Sequence, residues 1–222
     1  MARALKKLFS REVAAIETRD TQIDESFLSP DQHSYVRNVS AKRRWEYVAG
    51  RQCAQMALTA VGYEGITVLS GKSGEPIWPE GIVGSITHCE GYAAAAIALN
   101  SGILSLGLDA ETNQPLSGKV LKRIGNPEEI QWVKRSKGSE YPNPGKILFS
   151  AKEAAFKAWH PLTGEWLGFQ EAHLSFDLET RNFTVDISRP GPIQKFVGKF
   201  LINQDIILTG IETPKNLEMN GE

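Results

Sequence analysis

From Ile82 to Thr112 the sequence reads as strand after strand, and this run constrains the fold more than any other feature of the chain. "IVGSITHCEGYAAAAIALN" divides into two short apolar stretches about a turn near Glu90-Gly91. "ILSLGLDAET" follows as a further strand that ends in acids. The segment upstream supplies a helix to pack on them. In "AKRRWEYVAGRQCAQMALTAVG" (41–62) Trp45, Val48, Ala49, Cys53, Met56, Ala57, Ala60 and Val61 recur at helical spacing, with Gly62 as a stop. Between helix and strands lies "SGKSGEPIWPEG" (70–81), dense in glycine and proline and therefore a loop.

The second half repeats the outline. Residues 115–137 are predicted helical, with "GNPEE" marking a helix start, and "SKGSEYPNPG" is a loop. "FSAKEAAFKAWHPLTGEWLGF" (149–169) predicts a helix from Ser150 that breaks at His160-Pro161. "AHLSFDL", "NFTVDIS", "KFVGKFLIN" and "DIILTGIET" then alternate like strands of an antiparallel sheet. Helix then sheet, twice over, is an α+β chain of two similar halves, although no repeat is visible letter by letter. The expected division falls at the "LDAE" acids: residues 1–108, residues 109–214, and a polar, disordered tail over 215–222.

Charge narrows the partners. With 25 basic and 26 acidic residues the net charge is −1, so nothing suggests general nucleic-acid binding, and any anion site must be built locally. The two cysteines, Cys53 and Cys89, form no CxxC and read as small core residues of a protein from a reducing cytoplasm. The start, "MARALKKLFSREVAA", lacks the apolar stretch of a signal peptide, and "YAAAAIAL" is too short for a transmembrane segment.

The chemistry lies in scattered residues, each with a plainer reading beside the sharper one. Asp109 and Glu111 alternate on a strand and so share a side, where two carboxylates repel unless a cation lies between them. Hard oxygen donors of this kind suit Mg²⁺; a strand end dipping into solvent is the plainer alternative. Glu153 is a third carboxylate, spaced for an ion pair with Lys157, and Lys152 adds a cation at the expected helix start. A solvated helix face would look the same. His88 follows Ser85 and Thr87, small donors that suit a phosphate as well as a structural role. Arg44 and Arg51 share a helix face with Arg43 on its flank, either a phosphate site or ordinary surface. No Walker loop, GxGxxG or Ser-His-Asp order is present.

"GEPIWPEGIVGSITHCEGYAAAAIA", "LGLDAE" and "FSAKEAAFKAWHPLTGEWLGF" stand in the order and spacing of the 4′-phosphopantetheinyl transferases. The chain resembles the branch that serves siderophore and nonribosomal peptide synthetases, the type of enterobactin synthetase component D, over residues 40 to 175. The resemblance implies two similar α+β halves with the site in the cleft between them. It implies transfer of the phosphopantetheine arm of coenzyme A to a serine of an apo acyl or peptidyl carrier protein, leaving 3′,5′-ADP. Asp109, Glu111 and Glu153 would hold Mg²⁺, for which Mn²⁺ could substitute. Glu153 would be the base. Lys152 and Lys157 would contact phosphates, with Lys157 also stabilising the leaving group. Arg43, Arg51 and His88 would bind the 3′-phosphate, with Ser85 and Thr87 as further donors and the Gly74-Glu75-Pro76 loop against the adenine. Ser70 stands where related sequences often carry a basic residue, and Lys72 is the substitute nearby. Lys119, Lys122, Arg123, Lys134 and Arg135 would dock an acidic carrier, or simply face water. An internal cleft suits a monomer. Two rival readings remain: a coenzyme A- or nucleotide-binding module without turnover, and a Mg²⁺-dependent nucleotide phosphohydrolase.

Overall fold

The structure is a computed structural model that describes residues 5–72, 74–138 and 140–215. The tail expected from residue 215 therefore lies, beyond its first residue, outside the described residues. After a short 3-10 turn, strand β1 (Ala14–Thr18) leads into helices α1 (Pro30–Arg37) and α2 (Ala41–Ala60). Both helices start at serines, Ser29 and Ser40, whose hydroxyls accept a backbone N–H of the first turn. The expected loop at 70–81 contains a two-residue hairpin, β2 (Leu69–Ser70) with β3 (Pro76–Ile77). Strands β4 (Ile82–Cys89) and β5 (Tyr92–Leu99) follow, turning at Gly91, whose φ of 66° lies in the left-handed region.

Strand β1, which has no strand signal of its own, completes this first sheet in the order β1-β5-β4. Central β5 is buried on both faces, which explains its unbroken run of apolar residues. Ala95 and Ile97 pack on Cys53, Ala54, Ala57 and Leu58 of α2. Ala94, Ala96 and Ala98 face the opposite way, toward Leu5, Leu8, Phe9 and Leu106. Alanine suits this strand because helix and chain approach it from both sides.

The second half begins with β6 (Ile103–Thr112), continues through α3 (Gly118–Ile124), α4 (Pro127–Arg135) and α5 (Pro144–Thr163), and ends in β7 (Ala172–Asp177), β8 (Asn182–Ile187), β9 (Lys195–Ile202) and β10 (Ile206–Pro214). The sheet order β6-β10-β9-β8-β7 is antiparallel throughout. Each half thus lays one 20-residue helix on an antiparallel sheet, of three strands in one and five in the other. This is the expected α+β fold. The expected division at 108/109 falls inside β6, which belongs whole to the second sheet; the chain changes sheets at the turn before Ile103. The predicted helix over 115–137 is two helices, because Gly125 ends α3 and Asn126 caps α4 with a capping box through Glu129.

Helix α5 is longer than its sequence signal at both ends. It starts at Pro144, where proline fits the first turn, and runs through Pro161 to a left-handed Gly164. Pro161 sits in the last turn, so the chain ends its helix soon after instead of at the proline. The helix covers β6 closely. A Cβ at Gly107 would overlap the Ala154 carbonyl oxygen, so glycine before "LDAE" sets the distance from helix to strand. Beyond β6 lies β4 of the other sheet, and side chains make that seam. Ser85 Oγ accepts Leu108 N–H at 3.0 Å and Thr87 Oγ1 accepts Ala110 N–H at 2.9 Å. Two hydroxyls act across the seam as carbonyls do within a ladder.

Candidate active site

The seam gathers charge. Asp109 follows Leu108 on β6 and is 5% exposed. Its Oδ1 accepts Lys157 Nζ at 2.8 Å, while the same ammonium donates to the Leu108 carbonyl at 3.0 Å and Thr87 Oγ1 at 3.3 Å. Asp109 Oδ2 is buried with no hydrogen-bond partner. Glu111, two residues along the same strand face, accepts Lys146 Nζ at 2.9 Å. Lys146 comes from the first turn of α5 and also lies over the Phe149 ring. Burial holds the Glu111 carboxyl above its ordinary range, with Lys146 acting against that shift.

Glu153 projects from α5 beside this pair. Burial raises its pKa, the Asp109 charge raises it further, and Lys157 opposes both. A carboxylate in this setting takes a proton more readily than one in water. A small cavity adjoins it, walled by Phe156, Trp166, Leu167 and Phe169. Of the aromatics after the "FSAKE" motif, Trp159 is fully buried and Phe169 partly so, while Trp166 is 69% exposed against Phe156.

On the other side of the seam lies a groove of about 550 Å³, lined by Ser29, Asp31, Tyr35, Arg43, Tyr47, Ser70, Lys72 and Gly74 among others. Arg43 Nη1 lies 3.0 Å from His88 Nε2, and Arg43 Nε donates to Tyr35 Oη. An arginine cannot accept, so His88 Nε2 is the acceptor and Nδ1 carries the proton, toward Glu46 Oε2 at 3.7 Å. Burial depresses the His88 pKa, and the charges of Arg43 and Lys157 depress it further against Glu46 and Asp109. His88 thereby links the groove to the acids.

Several expected contacts sit elsewhere. Lys152 does not reach the cleft: its ammonium is buried against Glu129 Oε2 at 2.9 Å and bonded to the Phe169 and Ala172 carbonyls. Its side chain runs along the small cavity beside Glu153 and ends on α4. Ser85 and Thr87, 3% and 2% exposed, accept backbone N–H bonds across the seam. Arg51 lies beneath the groove floor, stacked on Tyr47 and donating to the Val68 carbonyl and to Ser70 Oγ. Arg44 turns outward to Glu25 instead of joining Arg51. Gly74 lines the groove with φ 87°, and Pro76 sits in the hairpin behind it. The Glu75 carboxylate packs on Gly71, where a Cβ would overlap it.

Burial pushes both cysteine thiols up to about 12, which fits a core role and removes them as nucleophiles. Tyr35, Tyr47, Lys146 and Glu129 stand at or behind the site, outside the motifs that identify it. Only Glu129 had a local signal, as the last residue of the "NPEE" capping box.

A groove that carries Arg43 and Lys72, and a half-buried carboxylate of raised pKa beside a lysine–aspartate pair, are features of an enzyme that handles an anionic substrate. The sequence profile of the 4′-phosphopantetheinyl transferase N-terminal domain matches residues 31–98, and that of the 4′-phosphopantetheinyl transferase superfamily matches residues 105–209. Over 195 residues the chain is 38% identical to the 4′-phosphopantetheinyl transferase Npt of Nocardia iowensis, covering 82% of this chain and 86% of that one. It is 36% identical over 193 residues to PptT of Mycobacterium tuberculosis, covering 82% and 84%. Enterobactin synthase component D of Salmonella typhi is 33% identical over 129 residues, covering 57% of this chain and 53% of its own. The chain belongs to the 4′-phosphopantetheinyl transferase family, enzymes that place the phosphopantetheine arm on carrier proteins with coenzyme A as co-substrate. No helix among the described residues is long and apolar enough to cross a membrane.

Proposed function

We propose that this transferase binds coenzyme A along the groove, moves its phosphopantetheine arm to a serine of an apo carrier protein, and releases 3′,5′-ADP. The observation that carries the reading is Glu153: a half-buried carboxylate of raised pKa beside the Asp109–Lys157 pair. The serine hydroxyl forms the new P–O bond as the pyrophosphate P–O bond breaks. Glu153 takes the serine proton, directly or through a water. Lys157 stabilises the charge that develops on the leaving ADP oxygen. Arg43 and Lys72 hold phosphate from the groove side, with Gly74 against the adenine, and His88 and Tyr35 orient the Arg43 guanidinium. Arg51 contributes from below, through Ser70 and Tyr47.

Among the described residues no three His, Cys, Asp or Glu side chains converge on one point as metal ligands. The donors nonetheless fit a hard cation. Asp109 Oδ2 is buried without a partner, and Glu111 and Glu153 are both held above their ordinary range by burial and by the neighbouring carboxylate charge. Asp109, Glu111 and Glu153 would hold Mg²⁺, or Mn²⁺ in its place, with Lys146 giving up Glu111. Bound there, the ion supplies neutralising charge to the pyrophosphate. The exposed Lys119, Lys122 and Arg123 of α3 and Lys134 and Arg135 of α4 support docking of an acidic carrier. Both walls of the cleft come from one chain, which supports a monomer.

Intact-protein mass spectrometry of an apo peptidyl carrier protein, incubated with this enzyme, coenzyme A and Mg²⁺, tests the reading. The expected result is a gain of one phosphopantetheine, lost with EDTA and with Glu153→Gln. Coenzyme A binding without transfer to any of several carriers would favour the binding module. Phosphate release without a carrier would favour the phosphohydrolase.

A further inference from the structure

Lys152 is adjacent in sequence to the proposed base and lines the same small cavity, yet its ammonium is saturated. Its three N–H bonds go to Glu129 Oε2 at 2.9 Å, Phe169 O at 2.7 Å and Ala172 O at 2.8 Å. Glu129 is equally committed. Its Oε2 also accepts Asn126 N–H at 2.8 Å and its Oε1 accepts Leu174 N–H at 2.8 Å. Each side chain of the pair is 1% exposed. Two buried ions therefore tie together α5, the start of α4, the turn at 169–171 and the start of β7.

What they hold matters. The carbonyls of Phe169 and Ala172 bracket that turn. The residues leading into it, Trp166, Leu167 and Phe169, form with Phe156 the wall of the cavity at Glu153. Gly168, in the same stretch, is itself held by Glu171 Oε2. A surface ion pair would not be needed to close a turn. A buried one, saturated by two carbonyls of that turn, fixes where the wall stands relative to α5. We infer that Lys152 and Glu129 are a pair of positioning residues, holding the Trp166–Phe169 wall against Glu153 so that the acceptor serine meets the base in register, and that Lys152 contacts no phosphate of coenzyme A.

The inference rests on the reading of Glu153 as the base. It separates from a phosphate role because Glu129 lies on α4, behind the wall. Removing Lys152 alone strands a buried carboxylate and can unfold the chain, so the test uses Glu129→Gln and the double variant Lys152→Met with Glu129→Gln, which leaves no unpaired charge. For each variant that melts as a folded protein, affinity for 3′,5′-ADP is measured by calorimetry. Steady-state kcat and KM are measured on an apo carrier well below the melting midpoint, with Glu153→Gln as reference.

The expected result is kcat at least tenfold down, with 3′,5′-ADP affinity and the KM for coenzyme A within about twofold of wild type. Wild-type kcat in a folded variant would make the pair merely structural and overturn the inference. So would a tenfold loss of 3′,5′-ADP affinity in the double variant, which would place Lys152 on a phosphate. If neither variant folds, Trp166→Ala and Phe169→Ala substitute for them, and unchanged kcat in both would overturn it equally. Full activity in Glu153→Gln would sink the base assignment, an outcome read independently of the pair.

Discussion

Of the three lysine–carboxylate pairs that α5 makes, those of Lys152 and Lys157 have nearly equal length and differ in burial and saturation. Lys152 meets Glu129 at 2.9 Å with both side chains 1% exposed, and each partner is fully bonded. Lys157 meets Asp109 at 2.8 Å with side chains 26% and 7% exposed, and Asp109 keeps one buried oxygen without a partner. The first pair is complete and has no capacity left for a ligand. The second is incomplete in the way a site must be: the Lys157 ammonium has its three acceptors, but Asp109 keeps a spare buried oxygen and the lysine borders solvent. Distance alone does not distinguish a structural ion pair from a functional one; saturation and exposure do.

Substitution of the group beside the second pair has the largest expected effect. Glu153→Gln should slow carrier modification by about 10²–10⁴-fold, the usual worth of a general base. It should also raise the thermal midpoint. A carboxyl whose pKa is raised in the folded state favours folding below its unfolded pKa and loses that contribution as pH rises. At neutral pH its charge therefore works against stability, and the amide removes it. A lower midpoint would mean that Glu153 is a packing residue.

Next come the lysines themselves. Lys152→Met should cost about 3–5 kcal/mol of stability, the penalty for orphaning a buried partner. Lys157→Met should change the melt far less, because its ammonium already borders solvent, while lowering kcat by about 10²–10³-fold. Denaturant melts and carrier kinetics on the two variants check the contrast, and equal losses of stability would erase it.

The smallest effect concerns His88, the link between groove and acids. Its pKa lies below the ordinary 6.5, so its contribution to stability is present above that pH and is lost as pH falls toward its folded value. Protonation there also ends its acceptance from Arg43. Thermal midpoints of the wild type should therefore drop more steeply below pH 6.5 than those of His88→Gln, while the two run parallel above it. Parallel curves throughout would mean that His88 is not held neutral by its surroundings.

Much of this was legible in the sequence. The helical spacing of 41–62, the hairpin about Gly91 and the four closing strands depend on local pattern, and local pattern is what a sequence displays. Strand β1 was not legible. Its short, half-buried "AAIET" has no strong period and forms only because β5 offers an edge. The limits of α5 differ from the local pattern for a related reason: proline signals a break, yet the first and last turns of a helix tolerate it.

At the site, "LDAE" and "KEAAFK" identified the acids and the cations, since residue type and spacing carry that chemistry. They did not assign which lysine does what. Lys152 and Lys157 differ in no local property; they leave the helix on different sides. The sequence by itself determined the two α+β halves, the family resemblance and the inventory of charged groups. Only the tertiary structure decided that Ser85 and Thr87 close a seam, that Arg51 supports a floor, and that Lys152 answers Glu129. A side chain's bonds are set by what packs against its face, and that neighbour is supplied by a part of the chain the local pattern cannot see.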